Sequence, residues 1–160
     1  MSSSSLEARI ALVGHPNAGK TTLFNAFTGQ RQKVGNYSGV TVEKASGEFF
    51  TPHGNRFELV DLPGCYSLSP NSPDEMVTRD VLLGVQEGEE IPDLVLCVLD
   101  ASNLERHLNL LLQVIDLGYP VIAALNKIDQ AEAQGLRLNP TAITETLGVP
   151  FVPLSALTEK

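Results

Sequence analysis

One octapeptide limits what this 160-residue chain can fold into more than any other feature: Gly14-His15-Pro16-Asn17-Ala18-Gly19-Lys20-Thr21, which fits G-x-x-x-x-G-K-[ST]. It lies between an apolar run at 9–14 and a helical pattern that opens at Lys20, the strand, turn and helix setting the motif requires. In that setting successive backbone N–H groups of the loop wrap a chain of phosphates, and the helix points its positive end at them. Gly14 and Gly19 permit the close approach and the unusual dihedrals. Lys20 would reach the terminal phosphates as a point charge, and the Thr21 hydroxyl would ligate a magnesium ion bridging them, with Thr22 meeting the next phosphate inward. With Gly at about 7% of residues, four matched positions in this context leave an ordinary glycine turn roughly a one in a hundred chance.

The rest of the composition narrows the partners. Eleven Lys plus Arg against nineteen Asp plus Glu give a net charge of -8, which argues against a general nucleic-acid or anionic-membrane surface but not against one local phosphate pocket. With 42% hydrophobic and 19% charged residues, the chain has the apolar material for one folded domain. Cys65 and Cys97 are far apart and have no metal-ligand spacing, which fits a reduced cytosolic setting. The start lacks the order of a secretory signal, and the longest strongly apolar run, 94–99, is far too short for a membrane span. Residues 1–8 are expected to be a flexible lead-in and 9–160 the domain.

Short apolar runs alternate with helical patterns, the mark of an α/β fold with a mostly parallel sheet and helices on both faces. Six strands are predicted, at 9–14, 42–50, 56–61, 94–100, 121–126 and 150–154. A turn at 51–55 containing Pro52 and Gly54 makes the second and third strands antiparallel, so one edge of the sheet is mixed. Helices are expected at 20–27, 74–86, 104–117 and 139–147. The segments 30–41 and 65–73 read as long loops, which in a small domain are usually functional or mobile.

Which base the phosphates belong to is decided by Asn126-Lys127-Ile128-Asp129, at the carboxyl end of the fifth predicted strand. The Asp129 carboxylate can accept hydrogen bonds from N1–H and the exocyclic amine of guanine, whereas adenine would leave it unpaired, a difference of about 10⁴ to 10⁵ in a built site. Asn126 would brace the loop and approach the other ring edge, and the stem of Lys127 would cover a ring face. Alone, this short motif is as compatible with a surface helix start; with the phosphate loop at this separation, that alternative becomes small. Asp61-Leu62-Pro63-Gly64 ends the third predicted strand: Asp61 would hold magnesium through a water, and the Gly64 N–H would sense the γ-phosphate. Thr41, after Gly39 and Val40, is the natural second magnesium ligand, and both loops would be ordered by the γ-phosphate. Ser155-Ala156 follows the last predicted strand, with the Ala156 N–H placed to meet the guanine carbonyl oxygen.

These elements, in this order, resemble the small GTPases related to translation factors. Lys20-Thr21-Thr22-Leu23-Phe24-Asn25, the stretch 34–44, Asp61 to Leu68 and Asp100-Ala101-Ser102-Asn103-Leu104-Glu105-Arg106 are similar, more narrowly, to the amino-terminal G domain of the FeoB family of bacterial ferrous iron transporters. The resemblance covers 9–156 and implies a P-loop GTPase fold at the cytoplasmic face of the inner membrane. It also implies binding of GTP, GDP and magnesium, and helical regulatory and membrane domains elsewhere in the same protein. It points to Asn17 and the carbonyls of Gly35 and Tyr37 as potassium ligands. Homo-oligomers are compatible with it. Three features depart from the family pattern. His15 replaces an asparagine and is expected to be a solvent-facing loop side chain. Lys127 stands where methionine is frequent. The helix expected to close one sheet face is missing, so an apolar face is expected there.

Where many GTPases carry a glutamine to orient the attacking water, this chain has Cys65, which lacks an amide; intrinsic hydrolysis should therefore be slow, with backbone groups of the Thr41 loop and a potassium ion supplying the missing stabilisation. Lys20, Thr41, Gly64 and Asn17 are the residues expected to carry the reaction. Cys65 reads as a loop thiol without redox or metal role, Cys97 as a core residue, and His53 and His107 receive no function. The alternatives are a GTP/GDP switch with little catalysis, and a soluble potassium-dependent GTPase of ribosome or transfer RNA metabolism, which shares the loop with Asn17.

Overall fold

Apolar residues on both faces of the strands dictate the layering. Ile10 and Leu12 belong to one buried cluster, Ala11 and Val13 to another; successive side chains of a strand point to opposite faces, so this strand must be covered on both. The computed structural model describes residues 6–16, 18–29, 32–38, 42–52, 54–68, 73–86, 88–135, 144–145 and 148–153. Its elements run β1 (Leu6–Gly14), α1 (Lys20–Thr28), β2 (Gln32–Asn36), β3 (Glu43–Phe50), β4 (Arg56–Asp61), α2 (Pro73–Leu83), β5 (Leu94–Asp100), a short 3-10 turn at Ala101–Asn103, α3 (Leu104–Asp116), β6 (Val121–Asn126), α4 (Ile128–Ala133) and β7 (Phe151–Pro153).

The strands form one sheet in the order β2-β3-β4-β1-β5-β6-β7. β4, β1, β5, β6 and β7 are mutually parallel, while β3 pairs antiparallel with β4 and β2 antiparallel with β3. β1 thus lies between strands reached by crossovers in both directions, the switch point at which an open α/β sheet leaves a crevice beyond its strand ends. The register aligns those ends: Leu12 pairs with Asp61, Gly14 with Val98, and Asp100 with Asn126. Among the described residues, the motifs that begin at Gly14, Asp61 and Asn126 each lie at the carboxyl end of one of these parallel strands, so these three gather at one edge of the sheet.

Three expectations need correction here. Among the described residues the sheet has seven strands rather than six, because Gln32–Asn36, read as part of a loop, pairs with β3 from Gln32 opposite Gly47 to Asn36 opposite Glu43. This edge strand is mostly exposed, so it carries no hydrophobic alternation by which to recognise it. β1 begins at Leu6, not at residue 9, since Leu6 already pairs with Arg56 across an irregular step in the register. α2 ends at Leu83, three residues short of the predicted end. Of the helix expected at 139–147, only residues 144–145 are described, and both are helical.

On one side, α3 buries Leu110, Leu111 and Val114 and α2 buries Val77 and Val81 against the sheet. On the other, α1 contributes Leu23 and Phe24. Beside α1 the sheet carries a wholly apolar groove of about 210 Å³, lined by Leu23, Phe27, Phe49, Leu94, Leu96 and Ile122 among others.

Candidate functional site

The cleft at the carboxyl edge is built first by how the backbone leaves β1. Gly19 caps α1 with φ 94, a left-handed conformation, and a Cβ there would lie 2.0 Å from the side-chain nitrogen of Asn126. Glycine is thus required twice over, by the dihedral and by the approach of a second loop. Asn126 Nδ2 donates to the Ala18 carbonyl at 3.1 Å, a buried hydrogen bond between groups 108 residues apart that fastens the end of β6 to the loop after β1. After β4 the chain keeps to the flank of β1: Leu62 N donates to Leu12 O at 3.1 Å and Cys65 N to Gly14 O at 3.0 Å. Gly64 is thereby pressed against Pro16, whose backbone nitrogen would be 3.0 Å from any Cβ at position 64.

The result is a cleft of about 600 Å³ lined by His15, Pro16, Gly19, Lys20, Thr21, Thr22, Gly64 and Lys127. Thr21 and Thr22 are exposed in the first turn of α1. Lys20 is buried, its ammonium 2.5 Å from the Asp61 carboxylate. Burial pushes the Asp61 carboxyl above the usual carboxylate range while the Lys20 charge and hydrogen bond pull it back. This ion pair is what an incoming anion would have to compete with. A smaller hollow of about 180 Å³ opens beside it, between Lys20, Asp61, Leu62 and Pro63 on one side and Val42, Glu43 and Ala45 on the other. Gly14 ends β1 close against Val98, and Ala18 is buried.

The loop between β6 and α4 has its own signature. Lys127 adopts φ 63, ψ 32, and among the described residues it alone takes positive φ without being glycine. Non-glycine residues in this region tend to be held there by surroundings that serve a site. Its ammonium meets the Asp100 carboxylate at 3.4 Å. Burial would raise the Asp100 carboxyl, but the Ser102 hydroxyl and amide, with Lys127, hold it below the usual range. Asp129 stands exposed in the first turn of α4.

Gly35 lies in β2 opposite Lys44, and Tyr37 follows it with its ring in the core, 2% exposed. Burial, with Glu89 and Asp61 nearby, raises the Tyr37 hydroxyl above its ordinary range. Asn17, Gly39, Val40, Thr41, Ser155 and Ala156 lie outside the described residues.

One expected side chain is elsewhere. His15 is not turned to solvent: it is 6% exposed, stacked on His107 with ring centroids 4.0 Å apart, and flanked by the Tyr66 ring at 5.1 Å. Burial lowers its basicity, against a hydrogen bond to the Tyr66 backbone. The ring is apolar enough to pack when neutral, and α3 supplies the surface that the sequence could not show. Cys65 is buried in the core, and burial with Glu75 close by pushes its thiol up to about 12, so it is a poor nucleophile or metal ligand.

Sequence reasoning missed the residues that hold the loop after Gly64. Glu75 accepts from Tyr66 N at 3.0 Å, the Thr78 hydroxyl donates to Pro63 O at 2.9 Å, and Gln113 accepts from Leu68 N at 2.7 Å. Nothing in their local sequence distinguishes them from ordinary polar helix residues. His107 did leave a signal: with Leu110, Leu111 and Val114 it completes a buried stripe at helical spacing.

Comparison with known proteins agrees with this geometry. The family profile of ferrous iron transport protein B matches residues 8–160. The Fe(2+) transporter FeoB of Escherichia coli K12 is 50% identical over 149 residues, covering 91% of this chain and 18% of the transporter. A Fe(2+) transport protein A/Fe(2+) transporter FeoB fusion protein of Porphyromonas gingivalis is 49% identical over 146 residues, covering 91% and 17%. The chain therefore spans less than a fifth of the length of these curated relatives. Among solved structures, a mutant of S. thermophilus NFeoB bound to mGDP superposes with a TM-score of 0.85 at 47% identity, covering 98% of this chain and 57% of that one. The G domain of the T. maritima FeoB iron transporter superposes with a TM-score of 0.83 at 42% identity, covering 95% and 89%.

Proposed function

The chain belongs to the ferrous iron transport protein B family, and on that premise we propose that it is a domain that binds GTP and GDP, hydrolyses GTP slowly, and regulates ferrous iron transport by the longer protein of which it forms a part. That protein would hold it at the cytoplasmic face of the bacterial inner membrane, beside helical regulatory and membrane-spanning domains. No helix among the described residues is long and apolar enough to cross a membrane. The observation that carries the reading is the Asn126 to Ala18 hydrogen bond, which joins a guanine-type base motif to a phosphate loop in one cleft. Titration with GTP, GDP and ATP, with and without magnesium, tests it: tight binding of both guanine nucleotides and negligible binding of ATP is expected, and tight ATP binding would contradict the role given to Asp129.

Within this reading the chain's own groups divide the work. The backbone N–H groups of the loop from Gly14 to Gly19, Pro16 excepted, and of the first turn of α1 receive the phosphates. Lys20 leaves Asp61 for the terminal phosphates, and the Gly64 amide, pressed against Pro16, meets the γ-phosphate. Thr21, Asp61 and Thr41 offer oxygen donors of the kind magnesium takes, and Thr21 lines the cleft next to the Lys20–Asp61 pair. Bound there, magnesium would offset the charge of the β- and γ-phosphates. Leu62 and Pro63 carry Gly64 into place, Ser155 and Ala156 would close the base pocket, and Gly39 and Val40 would bring Thr41 over the phosphates.

For potassium, the side chain of Asn17 and the carbonyls of Gly35 and Tyr37 are suitable donors in kind. Gly35 lies in the ladder between β2 and β3, opposite Lys44, and its carbonyl keeps a second lone pair for a cation. Potassium would supply positive charge near the leaving phosphate. Turnover in potassium buffer is expected to exceed that in sodium buffer by about tenfold or more, and Asn17→Ala should remove most of the difference. Equal rates in the two salts would remove potassium from the mechanism without touching nucleotide binding.

A further inference from the structure

His107 lies on α3, outside every nucleotide motif, yet it touches the phosphate loop. Its ring is 6% exposed and lies on that of His15, tilted by 22°. His15 also meets Tyr66, whose ring stands at 66° to it and whose backbone it hydrogen-bonds. Three rings are therefore in contact in series, a column in sequence of contact that starts on α3, passes through the residue after Gly14, and ends two residues after Gly64. The Asp100 amide donates to His107 Nδ1 at 3.5 Å, fixing which ring edge faces β5. Next to the column is a hollow of about 230 Å³ bounded by Pro16, Asn103, Arg106 and Lys127 as well as the rings.

Burial above all, and then the groups that face it, keep His107 neutral. Arg106 comes from its own helix, Lys127 from the base loop and His15 from the phosphate loop, against the one carboxylate of Asp100; with burial as the largest cause, the imidazole is lowered to about 4. At neutral pH the column is thus an uncharged aromatic stack, whose strength depends on ring area and not on salt.

We propose that His107 is a positioning residue for GTP hydrolysis: its ring holds His15 and, through it, the Tyr66 loop, so that the Gly64 amide stays aimed at the γ-phosphate. The inference rests on the GTPase reading above. In that reading Gly64 meets only the γ-phosphate, so losing the ring should affect turnover and leave GDP binding almost intact.

The test compares the unsubstituted chain with His107→Ala and His107→Phe. His107→Ala is expected to lower kcat about three- to tenfold, the range of one aromatic pair, with KM and the GDP Kd changed less than about twofold. His107→Phe, which restores a ring without hydrogen-bonding nitrogen, should return kcat to within about twofold of the original. Amide hydrogen exchange on the nucleotide-free chain gives a reading independent of activity: the Cys65 and Tyr66 amides should exchange several-fold faster in His107→Ala while those of β6 do not change. An alanine variant with unchanged kcat, or a phenylalanine variant no better than alanine, overturns the proposal. Failure of the unsubstituted chain to turn over GTP would overturn the GTPase reading instead. Identical exchange at Cys65 and Tyr66 in His107→Ala and the unsubstituted chain would still show that His107 holds nothing.

Discussion

Replacing Asp129 by asparagine should weaken GDP and GTP binding by on the order of 10⁴-fold while leaving the fold unchanged. The size comes from what asparagine presents to guanine. A carboxylate accepts from both N1–H and the exocyclic amine; asparagine keeps one acceptor and sets an NH₂ donor against a second donor, so one buried group on each side loses its partner. The same reasoning predicts rescue. Xanthine carries a carbonyl where guanine carries the amine, and the asparagine NH₂ can donate to it, so XDP should bind the variant within about tenfold of GDP on the original chain. Stability should move little, because Asp129 is exposed in the first turn of α4 and the strain of the loop resides in Lys127. Competition binding with GDP and XDP, together with a thermal melt, decides the matter. A variant that still prefers GDP would mean that the base is read elsewhere.

Much of this site can be read from the sequence because its parts are backbone devices marked by glycine and short polar side chains. Gly19 is required by a positive φ and by the approach of Asn126, and Gly64 by contact with Pro16; each is a requirement that only one residue type meets. The parallel strands were legible because β1, β5 and β6 are apolar on both faces. What could not be read depends on neighbours distant in sequence. β2 has no apolar alternation, and only the partner strand β3 makes Gln32–Asn36 extended. His15 looks like a loop polar group until α3 brings His107 to 4.0 Å from it. The pairing of Lys20 with Asp61 joins two residues that were each assigned to a nucleotide, and nothing in either motif says that they pair with each other.

That pair leads to the prediction with the largest combined effect. Lys20→Met should reduce affinity for GTP by about 10³-fold or more, since it removes a charge-assisted contact to the terminal phosphates. It should also destabilise the chain by about 3 kcal/mol at neutral pH, because methionine fills the space of the stem but leaves the Asp61 carboxylate buried and unpaired. Both partners are largely enclosed, with side chains 10% and 12% exposed, so solvent does little to screen the loss. The pH dependence has a definite sign. Burial already raises the Asp61 carboxyl and Lys20 opposes that rise, so removing the lysine raises it further. A carboxyl whose folded value exceeds its unfolded value binds more protons in the folded state, so the penalty is complete above the folded value and shrinks as pH falls toward the ordinary carboxylate range. Relative to the unsubstituted chain, Lys20→Met should therefore recover stability on acidification. Asp61→Asn added to Lys20→Met should restore most of the lost stability at neutral pH, because no buried charge remains, while nucleotide affinity stays low. Urea melts of the three chains at neutral and mildly acidic pH, with a GTP titration of each, separate the two roles. If the double variant is no more stable than Lys20→Met, the unpaired carboxylate is not what the single substitution exposes, and the ion pair contributes to the nucleotide site alone.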